Sequence, residues 1–210
     1  MGGQRARGGQ SDFRMMSRRA ALARAAGAAA VAVFGIKAPP TLAAADGSAA
    51  AYMQKRIAKD LFAAARDKSP ESFLAAINRH ADLDTIANYS LGDYSSRLTP
   101  PLGARLRRGV AGFMSRYFAV QAHKYPVVRA DIAGEYPYGE NEAVVKTRIH
   151  LESGSSYSVD WLMAPQGRGY KVRDVRVYGF WLTPFQRALF VRYIADNGGD
   201  VTALLAALRV

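Results

Sequence analysis

The sequence contains no cysteine among its 210 residues, which excludes disulfide bonds, thiolate metal ligands and cysteine nucleophiles. Because there is no cysteine, the sequence does not indicate whether the protein works in an oxidising or a reducing compartment. Histidine is scarce as well, and no two of His80, His123 and His150 have the spacing of a metal-binding motif. We therefore expect neither a structural zinc site nor cysteine-dependent catalysis.

The chain also lacks the short motifs that mark common enzymes. It has no Gly-x-Ser-x-Gly elbow and no phosphate-binding glycine loop, and residues 152–156 (Glu-Ser-Gly-Ser-Ser) are typical of a hairpin loop. Asp160 and Asp174 are the carboxylates of the last two predicted strands, which makes them the best candidates for a general acid or base. They can equally form structural ion pairs with arginines such as Arg173, so the sequence does not require an enzyme.

The first 45 residues differ in composition from the rest of the chain. They carry seven basic residues and one acidic residue, a net charge of +6 out of +12 for the whole chain. Residues 17–22 (Ser-Arg-Arg-Ala-Ala-Leu) precede an alanine-rich run that ends in a small-x-small cleavage pattern at residues 41–45. This order is typical of a secretory signal, and the paired arginines favour the twin-arginine type. A retained membrane anchor is the alternative, although the run is short of the roughly 20 apolar residues that span a bilayer.

We therefore predict a signal peptide with a disordered N-terminus over residues 1–45 and a single domain over residues 46–210. Half of the net charge, +6 of +12, would leave with the signal. The whole-chain pI of about 10.2 is thus a poor indicator of nucleic-acid binding, and we expect no nucleic-acid partner.

The segment after the predicted signal has helical patterns. Residues 49–66 are alanine-rich without proline or glycine, and Met53, Ile57 and Leu61 share one apolar face. Ser69 followed by proline predicts the start of a second helix. A short third helix is expected after Asp82 or Asp84, ending at a glycine.

The longest predicted helix begins after Thr99 and ends before Pro126. Its arginines largely avoid the apolar stripe, which favours an amphipathic helix that covers a sheet with its basic face in solvent. The alternative is that this basic face meets anionic headgroups or an acidic partner. The apolar stripe is expected to contain Leu102, Leu106, Val110, Phe113, Tyr117 and Val120.

In the second half of the chain the apolar period changes to two, which predicts strands. The predicted strands cover residues 127–132, 143–151, 157–163 and 170–178, with a turn-rich connection over residues 134–141. Short hairpins favour antiparallel pairing, and helices followed by strands favour an α+β fold. We predict an antiparallel sheet of three to four strands in the C-terminal half, covered by several helices.

The last strand leads into the stretch that organises the end of the chain. Gly179 ends the alternation, Thr183 with the following proline starts a helix, and Gly198 with Gly199 ends it. Asp200 then caps a short final helix. A strand followed by an aromatic-rich helix is expected to form a wall and a lid of an apolar volume.

Taken together, these segments resemble the MlaC-type family of toluene-tolerance proteins, over roughly residues 51–208. The order and spacing of the matching segments are more specific than any one of them. The segments are residues 86–92 (Ile-Ala-Asn-Tyr-Ser-Leu-Gly), 159–161 (Val-Asp-Trp), 169–175, 178–182 (Tyr-Gly-Phe-Trp-Leu), 190–194 and 197–200 (Asn-Gly-Gly-Asp).

The resemblance implies a periplasmic lipid-binding domain that shuttles a phospholipid between membranes. Its expected partners are an ABC-type lipid transporter complex in the inner membrane and a lipoprotein complex in the outer membrane, with transient contact to a membrane surface. It implies no cofactor and no catalysis. We expect the helices and the sheet to enclose an apolar cavity whose lipid-contacting residues are Ile86, Leu91, Phe113, Tyr117, Val145, Ile149, Trp161, Val177 and Phe180.

Two features depart from the family pattern. Phe180 and Trp181 stand where a small serine is usual, which leaves the shape of the lipid open, and the twin-arginine-like signal is not the usual export route. Because a related branch is associated with hopanoid biosynthesis, a hopanoid-type lipid is an alternative cargo. A small α+β enzyme that uses Asp160 or Asp174 and a periplasmic adaptor without a ligand are the remaining alternatives.

Overall fold

The structure is a computed structural model that describes residues 47–209, so the predicted signal segment lies outside the described residues. The helices are α1 (Ala49–Tyr52), α2 (Ala58–Asp67), α3 (Pro70–His80), α4 (Leu83–Leu91), α5 (Pro100–Lys124), α6 (Leu182–Asp196) and α7 (Val201–Leu208). A π-helical turn (Met53–Ile57) joins α1 to α2, and a 3-10 helix (Gly92–Arg97) follows α4. The strands are β1 (Val127–Tyr138), β2 (Glu142–Leu151), β3 (Ser156–Gln166), β4 (Gly169–Val177) and β5 (Phe180–Trp181).

The predicted α+β fold is confirmed. The strands form one antiparallel sheet in the order β1-β2-β3-β4-β5, one strand more than the three to four predicted. The additional strand, β5, has only the two residues Phe180 and Trp181. A pair of residues is too short to show a period of two, so pattern alone could not find it.

The prediction for β1 was too short. This strand continues to Tyr138 through the region predicted as a connection, with a register shift between Ile132 and Gly134. Pro137, which pairs with Ala143, is tolerated because β1 is an edge strand and one side of it needs no hydrogen-bond donor. Proline and glycine in this segment mark an irregular edge strand rather than a loop.

Three helices start at predicted capping residues whose side chains accept a backbone hydrogen bond. The Ser69 side chain accepts a hydrogen bond from the Ser72 backbone N–H at 3.2 Å, and Asp82 accepts one from Thr85 at 3.3 Å. Asp200 likewise accepts the Thr202 N–H at 2.8 Å. Each side chain satisfies a backbone donor that the first helical turn leaves without a partner.

The described residues contain two apolar clusters. The sheet-side cluster packs α1, α2, α3 and the C-terminal half of α5 on β1 to β4, and it includes Met53, Phe73, Phe118, Val145, Ile149 and Trp161. The helical cluster joins α4, the N-terminal half of α5, α6 and α7, and it includes Ile86, Leu91, Leu106, Val110, Phe190 and Leu204.

The long helix α5 passes from one cluster to the other. Its buried residues therefore do not follow the single apolar stripe that the sequence predicted. Leu106 and Val110 are buried, as the stripe predicts, but in the helical cluster, whereas Phe118 and Ala122 near the C-terminal end face the sheet-side cluster. Val120, which was assigned to the stripe, is 50% exposed. The buried face of α5 changes along its length because its packing partners change.

Candidate functional site

A cavity of about 1090 Å3 is lined by residues from both clusters. Ile57 and Leu61 contribute from the first helical segment, and Trp161 and Val177 contribute from the sheet. Most of the remaining wall is also aliphatic or aromatic. These further wall residues are Ala76, Ile77, Ala81, Ile86, Phe113, Met114, Tyr117, Phe118, Val172, Val175, Tyr178, Phe180, Trp181, Leu182, Phe185 and Leu189.

The structure brings together six of the nine residues that the sequence singled out for lipid contact. They come from four places in the chain: α4, the middle of α5, the sheet strands β3 and β4, and β5. The six in the cavity wall are Ile86, Phe113, Tyr117, Trp161, Val177 and Phe180.

The other three, Leu91, Val145 and Ile149, lie away from the cavity wall and are fully buried. Val145 and Ile149 belong to β2 in the sheet-side cluster, and α1 packs against this strand. Leu91 is enclosed in the helical cluster. An apolar residue has the same sequence pattern in a packed core as in a cavity wall, so the sequence could not separate these three residues from the other six.

Sequence reasoning missed the contribution of the helices before residue 80. Ile57 and Leu61 were recognised as one apolar face but not as cavity wall, and Ala76 and Ile77 of α3 stand beside them. The apolar face shared by Ile57 and Leu61 was the sequence signal that could have identified them as cavity wall. No periodicity identifies Ala76 as a wall residue, because alanine is common on every face of these helices.

Polar side chains in the cavity wall make hydrogen bonds within the protein. His80 Nε2 lies 2.7 Å from Asp60 Oδ2, and Gln186 Nε2 donates to Ser90 Oγ at 2.7 Å. The second bond joins α4 to α6. Because these groups already have partners, they add little polarity to the wall.

Arg173 stands in the wall and forms two ion pairs. Its Nε donates to Asp82 Oδ2 at 3.0 Å and its Nη1 donates to Glu142 Oε1 at 2.7 Å. Burial alone would raise the pKa of Asp82, but hydrogen bonds from Arg173 and Thr85 outweigh it and hold this pKa below its usual value. The pairs fix the guanidinium at the junction of the sheet and α4.

The two carboxylates considered for acid or base catalysis have different surroundings. Asp160 is outside the cavity wall and is paired with Arg176, whose Nε donates to its Oδ2 at 2.9 Å. Asp174 is part of the wall, and burial raises the pKa of its carboxyl above the usual value. Its Oδ1 accepts the backbone N–H groups of Thr183 at 2.9 Å and Val175 at 2.7 Å, so it anchors the first turn of α6.

The mouth of the cavity is built by the turn between β4 and β5. Its two central residues, Tyr178 and Gly179, have φ angles of 51° and 87°, as a two-residue type I′ hairpin turn requires. Phe180 directly follows and is 73% exposed. The glycine suits this turn, whereas tyrosine rarely adopts a positive φ.

An aromatic and cationic network holds β5 in place. The Arg176 guanidinium carbon lies 4.9 Å from the centroid of the Trp181 ring, and Arg176 Nη2 donates to the Tyr136 hydroxyl at 2.9 Å. Tyr138 packs edge-on against Trp181 with ring centroids 6.1 Å apart. Side chains from β1 and β4 thus fix the two-residue strand that carries the cavity rim.

Within residues 47–209, no helix is long and apolar enough to cross a membrane. The same residues contain no group of three or more histidine, aspartate or glutamate side chains placed to hold a metal ion.

Comparison with known proteins identifies the family. The family model described as MlaC protein matches residues 49–210. The chain belongs to the MlaC family. The MlaC match covers every element of the fold and all of the cavity wall, which confirms the family resemblance read from the sequence.

Solved structures give the same fold. One match is the phospholipid-binding protein from Ralstonia solanacearum in complex with a phospholipid, with 20% sequence identity and a TM-score of 0.62. The alignment covers 77% of this chain and 95% of that chain. A search of curated proteins finds no match.

Proposed function

We propose that this protein is a lipid carrier that encloses the acyl chains of a phospholipid in the cavity and leaves the headgroup at the mouth. The observation that carries the proposal is the apolar cavity of about 1090 Å3. Pockets for small molecules usually measure about 300–1,000 Å3, so this volume suits a large apolar ligand. The phospholipid bound to the Ralstonia solanacearum protein of the same fold supports this choice.

The energetics of lipid transfer require such an enclosure. Each methylene exposed to water costs about 0.8 kcal/mol, so an acyl chain leaves a bilayer only if another apolar environment replaces it. The wall supplies that environment through aliphatic and aromatic side chains, and its polar groups already have partners. No covalent step is needed for binding or release.

We further propose that the carrier works in the periplasm after export by a twin-arginine-type signal. It would exchange lipid with an ABC-type transporter complex in the inner membrane and a lipoprotein complex in the outer membrane. The export-signal pattern of residues 1–45 and the MlaC match support this placement. A hopanoid-type lipid is the alternative cargo, because Phe180 and Trp181 add bulk at the mouth.

Of the two carboxylates considered for catalysis, Asp174 lies in the cavity wall and Asp160 does not. Asp160 is ion-paired with Arg176 outside the wall, whereas Asp174 has the raised pKa expected of an acid or base within the cavity. However, Asp174 Oδ1 already accepts the backbone N–H groups of Val175 in β4 and of Thr183 in α6. We therefore assign Asp174 a structural role and the protein a non-enzymatic one.

Native mass spectrometry of the protein purified from its own organism tests the proposal. We expect a bound species whose extracted lipid is a diacyl phospholipid, and uptake of labelled phospholipid by the emptied protein. An extract with a polycyclic lipid instead would establish the hopanoid alternative. Protein that is always empty and takes up neither lipid from vesicles would refute the carrier function.

A further inference from the structure

Two side chains in the cavity wall each have a polar atom that the protein leaves without a partner. His80 and Gln186 line the cavity and are only 7% and 8% exposed. Their hydrogen bonds to Asp60 and Ser90 use His80 Nε2 and Gln186 Nε2. The second polar atom of each side chain, His80 Nδ1 and Gln186 Oε1, makes no hydrogen bond within residues 47–209.

The two atoms are open towards the cavity. Among the described residues, the side-chain polar atoms that are enclosed by protein without a partner are the Tyr157 hydroxyl and Asp160 Oδ1. His80 Nδ1 and Gln186 Oε1 are therefore not enclosed, although both side chains are more than nine-tenths buried. Because the cavity is the open volume that both side chains border, the little polarity of its wall is concentrated in these two atoms.

The hydrogen bonds on the protein side make both atoms acceptors. Ser90 Oγ donates to the Ile86 carbonyl at 2.6 Å, so the Gln186 amide donates to Ser90 through Nε2 and keeps its oxygen for the cavity. His80 Nε2 lies against the Asp60 carboxylate, which only accepts hydrogen bonds. A neutral imidazole with its proton at Nε2 has a lone pair at Nδ1.

Plain alkyl chains would leave these acceptors without a donor. A buried acceptor without a donor is unfavourable. A water molecule is poorly held there, because a buried water needs about two to four polar partners and the neighbouring wall residues Ala81, Ile86 and Leu189 are apolar. A hydroxyl group on the ligand supplies the missing donor.

We propose that the cavity selects a lipid with a hydroxyl group in its enclosed apolar part, which donates to Gln186 Oε1 or His80 Nδ1. A site that binds a hydroxyl discriminates against the analogue without it, because the acceptor then stays unpaired. The inference rests on the proposed carrier function, and it adds the chemical class of the cargo. A phospholipid with a hydroxylated acyl chain and a polycyclic alcohol both supply this group.

The lipid that co-purifies with the protein from its own organism tests the inference. Mass spectrometry measures the ratio of lipids with a hydroxyl outside the headgroup to lipids without one, in the protein extract and in the total lipid of the same cells. We expect this ratio to be about fivefold higher in the protein extract, which is the effect of one neutral hydrogen bond. Alkaline hydrolysis identifies the source, since it releases a hydroxy fatty acid from a phospholipid and leaves a polycyclic alcohol unchanged.

Gln186→Leu and Gln121→Leu form a matched pair of variants. Gln121 is 9% exposed but lies outside the cavity wall, so its substitution should leave the enrichment unchanged. Gln186→Leu removes one acceptor, while the Ser90 hydroxyl keeps its bond to the Ile86 carbonyl. We expect this variant to fold and to carry as much lipid in total, with a lower enrichment.

His80→Phe removes the other acceptor and shows which of the two binds the hydroxyl. We expect at least one of the single variants, Gln186→Leu or His80→Phe, to lower the enrichment, and the variant with both changes to lose it. An enrichment that survives each single substitution would overturn the proposal.

The same extracts separate failure of this inference from failure of the carrier function. Bound lipid with the same hydroxyl ratio as the total cell lipid would overturn the hydroxyl preference and leave the carrier function intact. Protein that contains no lipid of any kind would overturn both.

Discussion

The carboxylate of Asp174 on β4 accepts the backbone N–H of Thr183 in the first turn of α6, with 2.9 Å between Oδ1 and the nitrogen. This hydrogen bond closes the segment that contains the hairpin turn, β5 and the start of α6, which together form one side of the cavity mouth. A carboxylate at a helix N-terminus also interacts favourably with the helix dipole. The position of the mouth therefore depends on a partly buried acidic residue.

Asp174→Asn should flatten the pH dependence of stability. Because burial raises the pKa of Asp174 in the folded state, the folded protein binds this proton more tightly than the unfolded chain does. Its contribution to stability is therefore greatest below the unfolded pKa of about 4, and it falls as pH rises through the raised folded value. Asparagine keeps an acceptor oxygen but does not ionise, so urea unfolding across this range should show the decline only with aspartate. Equal slopes for both proteins would contradict the assignment.

Thr147→Val should destabilise the protein by about 1–3 kcal/mol, because it leaves a buried donor without a partner. Trp161 Nε1 donates to Thr147 Oγ1 at 3.0 Å, and this hydroxyl donates to the Val159 carbonyl at 3.1 Å. The control is the same substitution in a Trp161→Phe background, where the indole N–H is already absent and the cost should be smaller. If chemical denaturation gives the same loss of unfolding free energy for Thr147→Val in both backgrounds, the loss does not come from the hydrogen bond to the indole.

Ala76→Phe should reduce lipid binding with little loss of stability. Ala76 lines the cavity, so the larger ring can enter open volume that an acyl chain would otherwise occupy. Ala64 belongs to the same sheet-side cluster as Ala76 but does not line the cavity, so Ala64→Phe should cost about 1–3 kcal/mol from overpacking. Thermal unfolding and native mass spectrometry of the two variants give the comparison. A greater stability loss for Ala76→Phe would mean that the cavity is not available as open volume.

Asp82 should contribute stability through two separable interactions. Asparagine retains the helix cap, so Asp82→Asn tests mainly the ion pair with Arg173, whose side chain is 37% exposed; we expect a cost of about 1 kcal/mol or less. Asp82→Ala also removes the cap bond to Thr85 and should cost about 1 kcal/mol more.

The pH dependence gives a second check on Asp82. Because its folded pKa is lowered, its stabilisation is present above the unfolded pKa of about 4 and is lost as pH falls through the lower folded value. Acid unfolding of Asp82→Asn should lack this component. An unchanged acid limb in the variant would mean that other carboxylates control it.

Most of the features that the sequence pattern predicted depend on interactions between residues that are close in the chain. The caps at Ser69, Asp82 and Asp200 confirm their predicted helix starts, because a capping side chain and the donor it satisfies are neighbours in the chain. Alternation located β2 to β4 for a similar reason. Successive side chains of a strand point to opposite faces of the sheet, so a half-buried strand alternates apolar and polar residues within its own sequence. The family resemblance then added the fold and its expected cargo.

Tertiary packing alone decided which apolar residues face open volume. Trp161 and Val145 are register partners on adjacent strands and both belong to the sheet-side cluster, yet the first lines the cavity and the second does not. Their sequence patterns are alike because both side chains leave water, and a pattern does not record whether the space beside a side chain is filled. The two-residue strand at Phe180 and Trp181 was also decided at this level, because Arg176, Tyr136 and Tyr138 reach it only after the sheet has formed.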